Sequence, residues 1–142
     1  MLLHTILESF QPLNSARILF AAFLAILFLQ SGLDKVVDWK GNLSWLKSHF
    51  ANSPLSGIVP LLLGIVTITE VAAGVFSLIG VGFLLFTDNT AWAAHGAQLS
   101  ALSLVMLFFG QRLAKDYEGA ASLVPYFILA VLGIIAQSSL LG

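Results

Sequence analysis

The sequence predicts an all-α membrane protein, a four-transmembrane-helix bundle built as two antiparallel hairpins within a single integral-membrane domain over 1–142. Three observations predict it. Of the 142 residues, 58% are hydrophobic and only 9% charged, with a mean hydropathy of +0.97, whereas a soluble domain carries about 25% charged residues. Four apolar runs, over 15–33, 60–86, 91–110 and 123–141, have about the length needed to cross a hydrocarbon core of roughly 30 Å. Five of the six basic residues, Lys35, Lys40, Lys47, Arg112 and Lys115, fall in the first and third connections, leaving Arg17 alone at the other end. By the positive-inside rule those connections face the cytoplasm and both termini lie outside.

The composition also excludes functions. A formal net charge of -1 offers no basic face to nucleic acid. With no cysteine, the chain carries no thiol–disulfide chemistry, iron–sulfur cluster or cysteine zinc site of its own. The spacing of its residues gives no metal constellation and no evident cofactor. A haem held by two histidines is disfavoured, because His4 and His49 lie outside the spans and only His95 lies within one. Gly80-Val81-Gly82 reads as helix packing, since no basic residue or polar helix follows it to make a phosphate loop.

Residues 1–17 lack a basic region before their apolar residues and a cleavage-type site after them, so they are not read as a signal peptide. Leu2, Leu3, Ile6, Leu7 and Phe10 recur at helical spacing with Glu8 and Gln11 outside that set, which fits a short interfacial helix ending at Pro12, the alternative being a frayed terminus. Ser15 is the expected N-cap of the first span, with Arg17 one turn inside where it can snorkel to headgroups or pair inside the bundle. At the far end of that span Gln30 and Asp34 share a helical face. The connection that follows interleaves Trp39, Trp45 and Phe50 with Lys40 and Lys47, the pattern of an interfacial segment over 39–50.

The second span is organised around one carboxylate, Glu70, flanked by Thr67 and Thr69 and followed by Ala73, Gly74, Ser77 and Gly80, small residues that let a neighbouring helix approach closely. The turn 87–90 joins it to the third span, where Ala93, Gly96, Ala97, Ser100 and Ala101 again put small residues on one side. The fourth span carries Ala130, Gly133 and Gln137 on one face. A weak internal repeat links the halves: Gly32 followed by Asp38-Trp39-Lys40-Gly41 matches Gly110 followed by Asp116-Tyr117-Glu118-Gly119 at the same spacing.

A carboxylate in hydrocarbon must be protonated, paired or turned toward water, so Glu70 is expected to face the bundle interior. At about 1.5 Å per residue it lies roughly 15 Å into its span, in the same half of the membrane as Gln30, Asp34, Lys35 and Arg112 or near the midplane. The expected polar site is therefore Glu70 with Gln30, Ser31, Asp34, Lys35, Thr67 and Arg112. A second patch, of Arg17, Asp88, His95 and Gln98, is expected near the opposite surface. Three roles fit the acid: a structural hydrogen-bonding group, a site for a quinone head group or other small amphiphile, or a proton relay.

Arg17 opening the first span, Gly32-Leu33-Asp34-Lys35 closing it, Pro60 before the second, Glu70 within it and Gly80 near its end together resemble the DoxX family of small four-span bacterial and archaeal membrane proteins. The likeness covers nearly the whole chain through the order and spacing of short motifs. It departs from the family pattern in having no basic residue in the connection after Gly80 and in its aromatic first connection. The resemblance implies a multi-pass protein of the bacterial cytoplasmic (inner) membrane and, through the family's namesake, quinone-linked electron transfer. It also implies a small subunit among the other subunits of a larger membrane assembly, in contact with lipid. The alternative is a stand-alone quinone-linked oxidoreductase or a proton-coupled carrier.

Overall fold

The computed structural model describes residues 1–138, which form α-helices and a single 3-10 turn with no strand among the described residues. The helices are α1 (Leu2–Ser9), α2 (Pro12–Val37), α3 (Trp39–His49), α4 (Val59–Phe86), α5 (Ala91–Leu113), α6 (Tyr117–Ser122) and α7 (Val124–Ala136), with the 3-10 turn Ser56–Ile58 leading into α4. Four segments, α2, α4 with its leading turn, α5, and α6 with α7, are long and apolar enough to cross a membrane. This is the pattern of a multi-pass membrane protein.

The boundaries differ from the sequence reading where polar residues continue a helix. Ser15 is not an N-cap: Pro12 occupies the first turn of α2, where its missing N–H costs nothing. Ser15 instead turns back, its Oγ donating to Ser9 O at 2.6 Å and tying α1 to α2. At the other end α2 does not stop at Leu33 but carries Asp34 and Lys35 within its last turn and ends at Val37. The expected span over 123–141 begins as α7, with Pro125 in its first turn, and the separate short helix α6 precedes it. Residues 139–141 of that span lie outside the described residues.

Both halves of the internal repeat build the same device. Asp38 Oδ1 accepts from the Gly41 N–H at 3.2 Å and Asp116 Oδ1 from the Gly119 N–H at 2.9 Å, each capping a short helix that follows a long one. A side chain on either glycine would run into the capping carboxylate. Before the second cap, the Asp116 N–H reaches Gln111 O at 2.9 Å and the Lys115 N–H reaches Arg112 O at 3.1 Å. This is the Schellman ending of α5, with Lys115 at φ 60° in the left-handed position that glycine usually fills.

Small residues set how the long helices meet. A Cβ at Gly74 of α4 would fall 2.7 Å from the Leu29 backbone nitrogen of α2. One at Gly80 would fall 2.6 Å from the Ala93 backbone of α5, so both neighbours approach α4 backbone to backbone. Gly82, two residues on, faces open space. Around these contacts Leu24, Phe28, Ala73, Ala97, Leu104 and Ala130 form the apolar core, while Leu19, Ile26, Ile68, Leu102, Phe109 and Ile128 are exposed on the four segments, as lipid contact requires. Gly80→Ala is expected to lower stability in detergent by about 1–3 kcal/mol through overpacking. Gly82→Ala should stay within about 0.5 kcal/mol of the wild type. Thermal unfolding followed by circular dichroism distinguishes the two, and equal losses would contradict the close approach at Gly80.

Candidate functional site

The close packing of α2 against α4 carries Lys35 to Glu70. A Cβ at Gly32 would stand 3.0 Å from the Val71 backbone nitrogen, so α2 crosses α4 within one residue of Glu70. One helical turn beyond this crossing, Lys35 Nζ lies 3.2 Å from Glu70 Oε2. It also donates to Ser31 Oγ at 2.9 Å, one turn back on its own helix. The lysine side chain is 16% exposed and the glutamate 0%. Glu70 is therefore held inside the bundle by an ion pair, and its second oxygen, Oε1, is buried with no hydrogen-bond partner among the described residues.

Of the site residues expected from sequence, Glu70, Lys35 and Ser31 come together. Thr67 is buried one turn from Glu70 but gives its hydroxyl hydrogen to Leu63 O at 2.6 Å. Gln30, Asp34 and Arg112 do not join them and are exposed. Asp34 sits 3.4 Å from Asn42 Nδ2, and Arg112 lies over the Tyr117 ring at 4.4 Å. The physical reason is rotational phase. Ser31 and Lys35 share one face of α2, and Gln30 and Asp34 share the adjacent one, turned about 100° away.

Beside the ion pair is an apolar cavity of about 380 Å³ between α3, α4 and α5. Trp45, Leu46 and Phe50 line one side, Leu62, Leu63 and Val66 a second, and Met106, Leu107 and Phe109 a third. Its polar groups are few: Lys35, Asn42 and Gln111. Gln111 also joins α3 to α5, since its Oε1 is 2.7 Å from His49 Nε2, while Asp116 Oδ2 lies 3.4 Å from the same nitrogen. A hydrogen on Nε2 thus faces two acceptors, and the ring stacks on Trp45 at 4.6 Å. Sequence reasoning set His49 aside as lying outside the spans. The repeat that aligns Asp38 with Asp116 was the signal that the two connections meet.

The expected second patch divides. Arg17 is buried and caps the end of α7, its Nε donating to Ala136 O at 2.6 Å and its Nη2 to Ser138 O at 3.2 Å. Gln137 Nε2 donates back to Arg17 O at 2.9 Å. Arg17 and Asp88 line one polar cavity of about 130 Å³. His95 and Gln98 do not belong to it. They are exposed on α5 and contact each other at 3.0 Å. Among the described residues no group of three or more histidine, aspartate or glutamate side chains could hold a metal ion.

No family model matches the chain, and no curated protein or solved structure matches it. What the geometry defines is an all-helical membrane chain with a buried lysine–glutamate pair at the edge of an apolar cavity. Lys35→Met leaves a buried carboxylate unpaired and is expected to cost about 3–5 kcal/mol, whereas Lys35→Met combined with Glu70→Leu should recover most of that loss. A double-mutant cycle on thermal unfolding in detergent measures the coupling. Additive losses would show that the two side chains do not depend on each other.

Proposed function

We propose that the chain is a DoxX-like subunit of a larger membrane assembly and holds a small amphiphile, a quinone or a lipid, in the cavity beside Lys35 and Glu70. The observation that carries this reading is the cavity itself: about 380 Å³ of largely apolar space with Lys35, Asn42 and Gln111 as its polar contributions. Ligand sites of this size are mostly apolar with a few placed polar groups. Here the apolar wall suits an isoprenoid or acyl chain, and the lysine and amide donors suit carbonyl or ester oxygens. The resemblance in motif order adds support for the family.

The proposed arrangement is two antiparallel hairpins in the bacterial cytoplasmic membrane, with the termini outside. Support comes from the direction of the close approaches: Gly32 meets Val71 while Gly74 meets Leu29, and Gly80 meets Ala93 while Gly96 meets Ser77, so each pair of helices runs in opposite senses. The contact of His49 with Gln111 and Asp116 brings the two basic connections to one end, as the positive-inside rule requires. Partners would meet α3, none of whose residues is buried, or the exposed faces of the long helices.

A second reading, a stand-alone quinone-linked oxidoreductase or a proton-coupled carrier, is favoured by one observation, the unpartnered Oε1 of the buried Glu70. A proton taken up there would be shielded from bulk water and close to Lys35.

Purification of the full chain from its native membrane in mild detergent, with mass spectrometry of everything retained, tests these readings. Stoichiometric protein partners together with a bound amphiphile are expected. Met106→Trp fills the cavity and should reduce amphiphile retention at least about tenfold, a change of about 1.4 kcal/mol, with the unfolding temperature little changed. Unaltered retention in that variant would rule out the cavity as the site. A lone chain carrying quinone and reducing it would favour the second reading.

A further inference from the structure

The polar cavity at the opposite end of the bundle, independent of the apolar one, has a chemistry of its own. Arg17, 9% exposed, is among its lining residues. Two of the five guanidinium N–H donors are fixed on the carbonyls of Ala136 and Ser138, and among the described residues no carboxylate lies within ion-pair distance of Arg17. The cavity therefore holds a buried positive charge with donors to spare.

The rest of the lining is rich in acceptors. Thr5 and Ser9 give their hydroxyl hydrogens to Met1 O and Thr5 O, and Thr87 gives its own to Phe83 O. What these side chains retain is lone pairs, although Thr87 Oγ1 already accepts from the Asn89 N–H at 3.1 Å. Glu8 and Asp88 add two exposed carboxylates, of which Glu8 also stands 3.6 Å from the exposed His4 ring. An anion alone would meet Arg17 but be repelled by the two acids, and a cation alone would meet the acids but be repelled by Arg17. A group with one phosphate and one N–H-bearing ammonium satisfies both. A quaternary ammonium has no N–H for these acceptors and is recognised by cages of aromatic rings, and among the described residues Phe86 is the one aromatic lining the cavity.

We propose that this cavity is a headgroup site for a phospholipid bearing a primary amine, of the phosphoethanolamine type. The phosphate meets Arg17, and the ammonium meets Glu8, Asp88 and the threonine oxygens. A lipid is the source because Leu84, Leu85 and Phe86 share the lining and the site lies where α2 begins and α4 ends. At about 130 Å³ the space is that of about four waters at roughly 30 Å³ each, the scale of a headgroup and far too small for acyl chains, which would lie along the exposed apolar faces outside.

The test is native mass spectrometry of the full chain in detergent, titrated with phosphatidylethanolamine, phosphatidylcholine and phosphatidylglycerol of the same acyl composition. Phosphatidylethanolamine is expected to bind about tenfold more tightly than either competitor. Glu8→Gln combined with Asp88→Asn leaves the Arg17 cap on α7 untouched and should erase that preference while improving phosphatidylglycerol binding. Equal binding of the three lipids by the wild-type chain would overturn the site whatever the variant does. A preference that survives the double substitution would overturn the role of the carboxylates. Displacement of the lipid by an equal concentration of soluble phosphoethanolamine would assign the cavity to an aqueous ligand and overturn the lipid.

Discussion

The structure depends on one buried ion pair. Glu70 is fully enclosed, and a carboxylate in that position is tolerated only because Lys35 is within 3.2 Å. That requirement fixes the register of α2 on α4, because sliding one helix by a turn, about 5.4 Å, would separate the two charges. The register in turn demands backbone contact at the crossing, which is why glycines stand at positions 32 and 74 where side chains would enter the facing backbone. The charge pair and the small residues are thus a single constraint. Larger residues at the crossing would move the helices apart, and a bundle without the charges would have less reason to prefer one register.

The two ends of the bundle solve the problem of buried polarity differently. At one end the lysine and glutamate compensate each other and leave a largely apolar cavity beside them. At the other, Arg17 is turned onto the C-terminal carbonyls of α7, where the negative end of a helix dipole favours a cation. Gln137 closes the same contact from the opposite direction. These bonds join the start of α2 to the end of α7, far apart in sequence. The connections differ as well: Asp38 and Asp116 repeat one capping geometry, and the second is also drawn against His49, linking α3 to the loop between α5 and α6.

Much of this was legible in the residues. Four long apolar runs announce four spanning helices, and one acid inside the longest announces a buried site, because neither pattern depends on tertiary detail. The helix ends were less legible. Polar residues such as Asp34 and Lys35 extend α2 by a turn where hydropathy alone ends it, and Ser15 serves α1 rather than capping α2. Within the site, depth could be counted along the helix but rotation could not. Gln30, Asp34 and Lys35 lie at similar heights, and only the crossing at Gly32 decides that Lys35 points inward. Arg112 failed for a related reason, since the Tyr117 ring offers it an exposed partner on the same connection. Nor could periodicity reveal the partner of Arg17, which is a pair of backbone carbonyls carrying no side-chain signature.

The geometry also separates two roles that the sequence merges. Lys35 lines the apolar cavity, whereas Glu70 does not. Any amphiphile held there meets the ammonium group, and the carboxylate acts through it by fixing where Nζ stands and by matching its charge. Ser31 restrains the same nitrogen from the side of α2, so two acceptors on two helices hold one donor group at the cavity edge. A lysine compensated in this way presents directed N–H groups with little net field. In the proposed reading a neutral head group with carbonyl oxygens suits this lysine better than an anionic one, which would have to compete with Glu70 for the same ammonium. Glu70 thus fixes where the Lys35 ammonium stands at the cavity edge without lining the cavity itself.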